Sequence, residues 1–235
     1  MEVIWQAILA SLSMLLTLDD RLMEVIVLSL KISLTALLIA SLIGLPLSAC
    51  LALTRFPGRK FVLVSFNALM GLPPVVVGLV VYLLLSRSGP FGVFNLLFTP
   101  TAMIIAQIVL VTPIIVSLSR ESLESMRHEY QDTLRSLGAA PAQAVTVLVW
   151  DVRFTLATAH LAGFGRAISE VGAVMIVGGN IDHLTRVMTT TIALEASKGD
   201  LVVALGLGIV LVALSLAVNV LVHGLRSMGE ARAAT

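Results

Sequence analysis

The sequence predicts an all-α membrane protein, and three observations predict it. Hydrophobic residues make up 58% of the 235-residue chain and charged residues 12%, against roughly 25% charged in a soluble domain. The charges are also gathered into a few places, with none in 32–54, 61–86, 88–119 or 201–222. Each of these runs reaches the length of about 20 residues that a helix needs to cross the roughly 30 Å hydrocarbon layer. Finally, the runs are continuously apolar rather than alternating with period two, which selects helices over a β-barrel.

Residues 4–18 come first. Ile4, Trp5, Ile8, Leu9, Leu12, Leu15 and Leu16 fall on one helical face, with Gln6, Ser11, Ser13 and Thr17 on the other. That pattern suits a helix lying in the membrane interface. Five spans are therefore expected, or six if this segment crosses as well. The opening MEVIWQAIL has no basic segment ahead of its apolar residues, so a cleavable signal is not expected.

The spans are predicted at about 24–54, 61–85, 99–119, 154–178 and 201–222, within a single transmembrane domain covering 1–235. Pro73 and Pro74 interrupt the second and free carbonyls near Leu69 and Met70; such irregular backbone is tolerated where protein or a water-filled cavity covers it. A plain kink and a place on a transport pathway both fit them. Cys50 is the only cysteine, which leaves no internal disulfide and no multi-cysteine metal site.

Counting Lys and Arg gives the orientation. With the loop after the first span inside, the inner segments hold nine: Arg55, Arg59, Lys60, Arg120, Arg127, Arg135, Arg153, Arg226 and Arg232. The outer segments hold four: Arg21, Arg87, Arg186 and Lys198. Positive charge favours the cytoplasmic side, so 120–153 and the C-terminus are expected there.

The stretch 120–153 is the unusual one. Arg120 to Leu137 mixes both signs of charge with Leu123, Met126, Tyr130, Leu134 and Leu137 at three- and four-residue spacing, which predicts a helix with one apolar stripe. Gly138 can end it in a left-handed conformation, and Pro141 suits the first turn of a second short helix, which runs to the membrane near Phe154. A long charged loop that is neither disordered in composition nor structureless is usually functional, and the stripe invites a partner.

Asp132-Thr-Leu-Arg-Ser-Leu-Gly138-Ala-Ala-Pro resembles the "EAA" cytoplasmic loop of ABC-importer permeases. Asp132 stands for the usual Glu, Thr133-Leu134 for two alanines, and Leu148-Val-Trp-Asp151 for I-x-L-P. SLKISLTALLIASLIGLPLSACLALTRFPGRK, GLPPVVVGLVVYLLL and GRAISEVGAVMIVGGN extend the likeness over about 23–222, toward the molybdate/tungstate/sulfate group, and TRVMTTTIALEASKGD is most similar to its tungstate-uptake members. The resemblance implies a type I importer fold working as a homodimer. It implies coupling helices that dock on an ATPase subunit through Tyr130, Asp132, Leu134, Arg135, Gly138, Ala139 and Pro141. An extracytoplasmic oxyanion-binding protein would deliver the cargo, across a bacterial or archaeal cytoplasmic membrane. No G-x-x-x-x-G-K-[ST] occurs, so no ATP site of the P-loop type is expected on this chain. ATP and magnesium would belong to the partner, and no nucleic-acid role is expected.

Arg166 and Glu170 lie four apart in the fourth span, on one predicted face with Ala162, Ser169 and Ala173. Charges inside a span normally pair and face protein or water. They fit a place on the anion pathway and a structural pair equally well, and their cancelling charges make a poor tight oxyanion site. Thr185–Thr191 offers hydroxyls beside Arg186, to an oxyanion or as part of a re-entrant or interfacial helix. His128, His160, His183 and His223 show no metal-ligand spacing. An intramembrane serine protease would need a G-x-S-x-G-like turn, which is absent. A self-sufficient secondary transporter would typically show two repeated halves. No such repeat is evident.

Overall fold

The computed structural model describes residues 20–136, 138 and 141–233, together with Trp5 and Leu9. Among the described residues the regular elements are helical: α1 (Asp20–Leu53), α2 (Arg59–Met70), α3 (Pro74–Leu85), a 3-10 turn at Gly92–Phe94, α4 (Pro100–Ser136), α5 (Pro141–Asp151), α6 (Arg153–Ile168), α7 (Gly172–Gly178), α8 (Met188–Lys198) and α9 (Leu201–Ala233). Of the expected interfacial helix 4–18, all but the exposed Trp5 and Leu9 lies outside the described residues.

Helices α1, α4 and α9 are each long and apolar enough to cross a membrane, and two bent pairs make up to five crossings in all. The pairs are α2 with α3, bent by 104°, and α6 with α7, bent by 54°. The first bend goes well beyond a kink. Gly71 N–H bonds Ala68 O at 3.1 Å and Leu72 N–H bonds Leu69 O at 3.2 Å, so α2 closes with tightened turns and the Leu69 carbonyl is not left free. Pro73 then turns extended, with φ −62° and ψ 124°, and Pro74 opens α3 at its first position, where the missing N–H costs nothing.

The second bend divides the span predicted at about 154–178 into two helices. Helix α6 stops at Ile168, Ser169 N–H bonding Gly165 O at 3.3 Å. The buried Glu170 carboxylate accepts the Ala173 N–H at 3.1 Å. A side chain thus takes a backbone donor that a continuous helix would have bonded to a carbonyl.

The core runs as a column of three clusters. At one end Ile32, Met103, Ala106, Val77, Val81 and Val174 pack together; Ala40, Val111, Ile115 and Ala167 lie next along; Ala52, Leu123, Leu148, Val152 and Leu156 close the other end. Helix α4 contributes to all three. Its 37 residues form one rod of about 55 Å at 1.5 Å per residue. The separate helix expected from Arg120 onward is therefore the continuation of the third span, because no turn residue intervenes after the apolar run. The fifth span likewise continues past 222, to Ala233.

The two half-helices beyond the bends, α3 and α7, pack on each other at glycine. A Cβ on Gly78 would meet the Ala173 Cα at 2.7 Å, and one on Gly172 the Val75 Cγ2 at 2.8 Å. Small residues that let backbones approach are the usual means of joining helices in lipid, where apolar burial drives little.

Candidate functional site

The two bends lie side by side, Gly172 against Val75, and polar side chains from four helices stitch the second of them. Glu170, 4% exposed, points one carboxylate oxygen at the α7 N-terminus and the other toward Arg166 Nη2 at 3.6 Å. Its backbone carbonyl accepts the Thr189 hydroxyl of α8 at 2.8 Å. Gln107 of α4 donates to Ala167 O, in the last turn of α6, at 3.0 Å. Its Oε1 is buried without a protein partner and borders a cavity of about 10 Å³ shared with Ser33, Glu170 and Thr189, room for one water. At the far end of α7, Thr185 Oγ1 donates to Gly178 O at 2.6 Å and accepts Ile181 N–H at 2.9 Å. Ser29 of α1 accepts the Met188 N–H that opens α8 at 2.8 Å.

These bonds show what each of the polar side chains holds. Thr185, Thr189 and Thr190 are buried and bonded to backbone, so their hydroxyls hold the bends rather than face open space. Arg166 and Glu170 do pair, but through the end of α6 rather than along one helical face. Ser169 is exposed and its hydroxyl donates back to Gly165 O at 2.7 Å. Arg166 is 31% exposed and Glu170 3% by side chain: the cation faces the open side and the carboxylate the interior. Pro73 and Pro74 stand at the other bend. His160 bonds the Leu156 carbonyl of its own helix at 2.7 Å.

The second feature is the platform at the α5 end. Helix α1 finishes at Leu53, and its last carbonyls need donors. Arg59 Nε supplies one to Leu51 O and Arg127 Nη1 one to Ala52 O, both at 2.7 Å. Glu124 ties the group together, pairing with Arg59 and with Arg120, the latter at 2.5 Å. Helices α1, α2 and α4 are thereby joined at their bases. Tyr130 hydrogen-bonds Asp151, and that bond and the carboxylate's charge hold the phenol above its usual range, so α4 and the end of α5 are linked as well.

Among the described residues, the apolar stripe of α4 at Leu123, Met126 and Tyr130 does not look outward. Leu123 is buried, and Met126 and Tyr130 pack against Ala52, Leu148 and Val152. What faces away is the other side of α5, where Gln143, Val147 and Trp150 are exposed at the four- and three-residue steps of one helical face. Trp150 is 68% exposed, and the Arg153 guanidinium lies over its ring at 4.5 Å and over Phe154 at 4.4 Å, a cation–π stack that stiffens the junction with α6. Sequence reasoning missed Val147 and Trp150, although the spacing of 143, 147 and 150 was there to be read. Gly138 lies in the turn between α4 and α5 with φ +65°, the left-handed conformation expected of it. Pro141 is the first residue of α5. The side chains of Asp132, Leu134, Arg135 and Pro141, and Ala139 entirely, lie outside the described residues.

The "Probable anion ABC transporter permease protein" of Haloferax volcanii is 42% identical over 205 residues, 85% of this chain and 88% of that one. The "Tungstate uptake system permease protein TupB" of Peptoclostridium acidaminophilum is 39% identical over 96% of this chain and 99% of its own length. The "Sulfate transport system permease protein CysT" of Salmonella typhimurium is 28% identical, over 86% and 77% respectively. Residues 40–233 match the family model described as "Binding-protein-dependent transport system inner membrane component". That match takes in both bends and the α5 platform, and with it this multi-pass helical chain belongs to the family of membrane components of binding-protein-dependent transport systems.

Proposed function

We propose that this chain is the permease subunit of an ATP-driven oxyanion importer, with tungstate as the cargo and molybdate or sulfate as the alternative. The observation that carries the cargo is the near full-length likeness to a tungstate uptake permease at 39% identity, against 28% for the sulfate one. The α5 platform lies in the cytoplasm together with the C-terminus, as the excess of Lys and Arg at that end supports. A separate ATPase subunit docks there, on the face displaying Val147 and Trp150 and on the turn at Gly138, with Tyr130, Asp132, Leu134, Arg135, Ala139 and Pro141 setting how that surface is presented. Two copies of the chain enclose the pathway, and an extracytoplasmic binding protein delivers the anion to it.

In this reading ATP closes the ATPase dimer, α5 is pushed, and the rod α4 carries the displacement along the whole bundle. The bends at Pro73–Pro74 and at Ser169–Glu170 are where the pathway opens and shuts. Arg166 and Ser169 line its open side, and Glu170 anchors them from within. A site whose cation is half-cancelled passes a dianion without holding it, and selection rests with the binding protein.

Disrupting the gene in its host tests the cargo. Tungsten accumulated from trace tungstate, measured by elemental analysis, should fall to the background of cells without the transporter and return with the gene. Excess sulfate should leave wild-type uptake intact. Undiminished tungsten accumulation in the disrupted strain, with molybdenum or sulfur uptake lost instead, would transfer the assignment to that anion.

A further inference from the structure

At the end of the bundle opposite α5, the connection from α3 to α4 is short, apolar and rigidly built. A Cβ on Gly89 would fall 2.1 Å from Leu83 O, and one on Gly92 2.3 Å from Ser86 O, so both positions are closed to side chains. Phe91 N–H bonds Leu84 O at 3.0 Å and Phe98 N–H bonds Val177 O at 2.9 Å. Thr99 donates to Leu96 O at 2.6 Å just before α4.

A loop so firmly held nevertheless displays Phe91, Val93 and Phe94, with Val93 80% exposed. The apolar surface continues down α3 through Val80, Leu83 and Leu84, all exposed. A contiguous apolar patch of this kind is not left in water by a folded protein. The loop and the end of α3 line a half-open cavity of about 570 Å³, within the size range of ligand sites. Tyr82, Leu85, Leu97 and Phe98 give it apolar walls, and Arg87 and Asn95 stand exposed at its mouth. Among the described residues no carboxylate pairs with Arg87.

We propose that this cavity holds a phospholipid, with the head-group phosphate on Arg87 and an acyl chain along the Tyr82–Leu97 wall. A lone guanidinium at the rim of an apolar cavity fits an amphiphile with an anionic head. A free oxyanion would gain from the rim and nothing from the walls. A protein that docks and leaves would return Val93 and Phe94 to water between encounters, whereas lipid covers them permanently and continues over the exposed apolar residues of α3. The inference concerns the membrane alone and stands whichever anion is carried.

The test is native mass spectrometry of the full chain purified in mild detergent and offered phosphatidylglycerol. One lipid should remain per chain, and Arg87→Glu should weaken its retention at least about tenfold, the loss expected when a charge-assisted hydrogen bond is removed. Equal retention by the two proteins would overturn the proposal. So would displacement of the lipid by inorganic phosphate, which would make this a free-anion site. A second measurement needs no change at Arg87. In a Trp5→Phe, Trp150→Phe background, Phe94→Trp should be quenched by phosphatidylglycerol brominated high on its acyl chain. An unquenched indole would show the loop covered by protein, such as a second copy of the chain, or open to water, and would equally overturn the proposal.

Discussion

Glu170→Ala is expected to abolish uptake and to lower the melting temperature of the purified chain, while Glu170→Gln keeps both close to wild type. Alanine removes the acceptor of the Ala173 N–H and leaves Arg166 beside an empty site. Breaking a fully buried pair costs roughly 3–5 kcal/mol. The 3.6 Å separation and an Arg166 that is 31% exposed reduce this to about 2–3 kcal/mol. Glutamine keeps an oxygen for the N–H and gives up only the charge. Thermal denaturation and anion uptake, measured on both variants, separate the two roles. A folded but inactive Glu170→Gln protein would place the negative charge itself on the pathway and contradict a role confined to capping α7.

The second large effect belongs to the contact between the half-helices. Gly78→Ala should destabilise by about 1–3 kcal/mol, as overpacking does, and Gly78→Leu should prevent accumulation of folded protein. The obstacle is the Ala173 backbone, 2.7 Å from the added carbon, which cannot rotate away. Gly172→Ala meets only the end of the Val75 side chain at 2.8 Å and should cost less. A Cβ on Gly165 meets nothing within 4 Å, so Gly165→Ala should be neutral or stabilising by up to about 1 kcal/mol. Melting temperatures should rank the three in that order. Equal stability of Gly78→Ala and Gly165→Ala would mean that α3 and α7 are not held in this contact.

The crossings were legible because their signal is additive: long charge-free runs admit few structures in lipid. The first bend was also legible, since Pro73 and Pro74 remove donors that no neighbour can replace, although its 104° angle depends on how α2 and α3 each pack. The second bend escaped because it has no proline. Its cause is the Glu170 carboxylate capping α7, and at sequence level a carboxylate four residues after an arginine suggests an ion pair along one helix. The stripe Leu123, Met126, Tyr130 was visible, but periodicity gives a face and not its partner; Leu148 of α5 and Val152, at the break between α5 and α6, claim it. The threonine run was ambiguous for a related reason, since a hydroxyl that caps a helix and one that meets a ligand look alike until the backbone is placed. Gly138 was read correctly as a left-handed turn because no other residue in 132–141 adopts that conformation at so little cost.

That turn carries the central claim, that the platform receives an ATPase. Proline locks φ near −65°, whereas Gly138 has φ +65° and nothing within 4 Å of its missing Cβ. Gly138→Pro should therefore redirect α5 while sparing the bundle. The most direct measurement is to express the chain with the ATPase encoded beside it, purify through a tag on the permease, and quantify the ATPase that comes along. Stoichiometric ATPase is expected with the wild-type chain, and its loss from a folded Gly138→Pro variant. A wild-type permease that purifies alone, or a variant that retains the ATPase in full, would contradict the docking role of this platform.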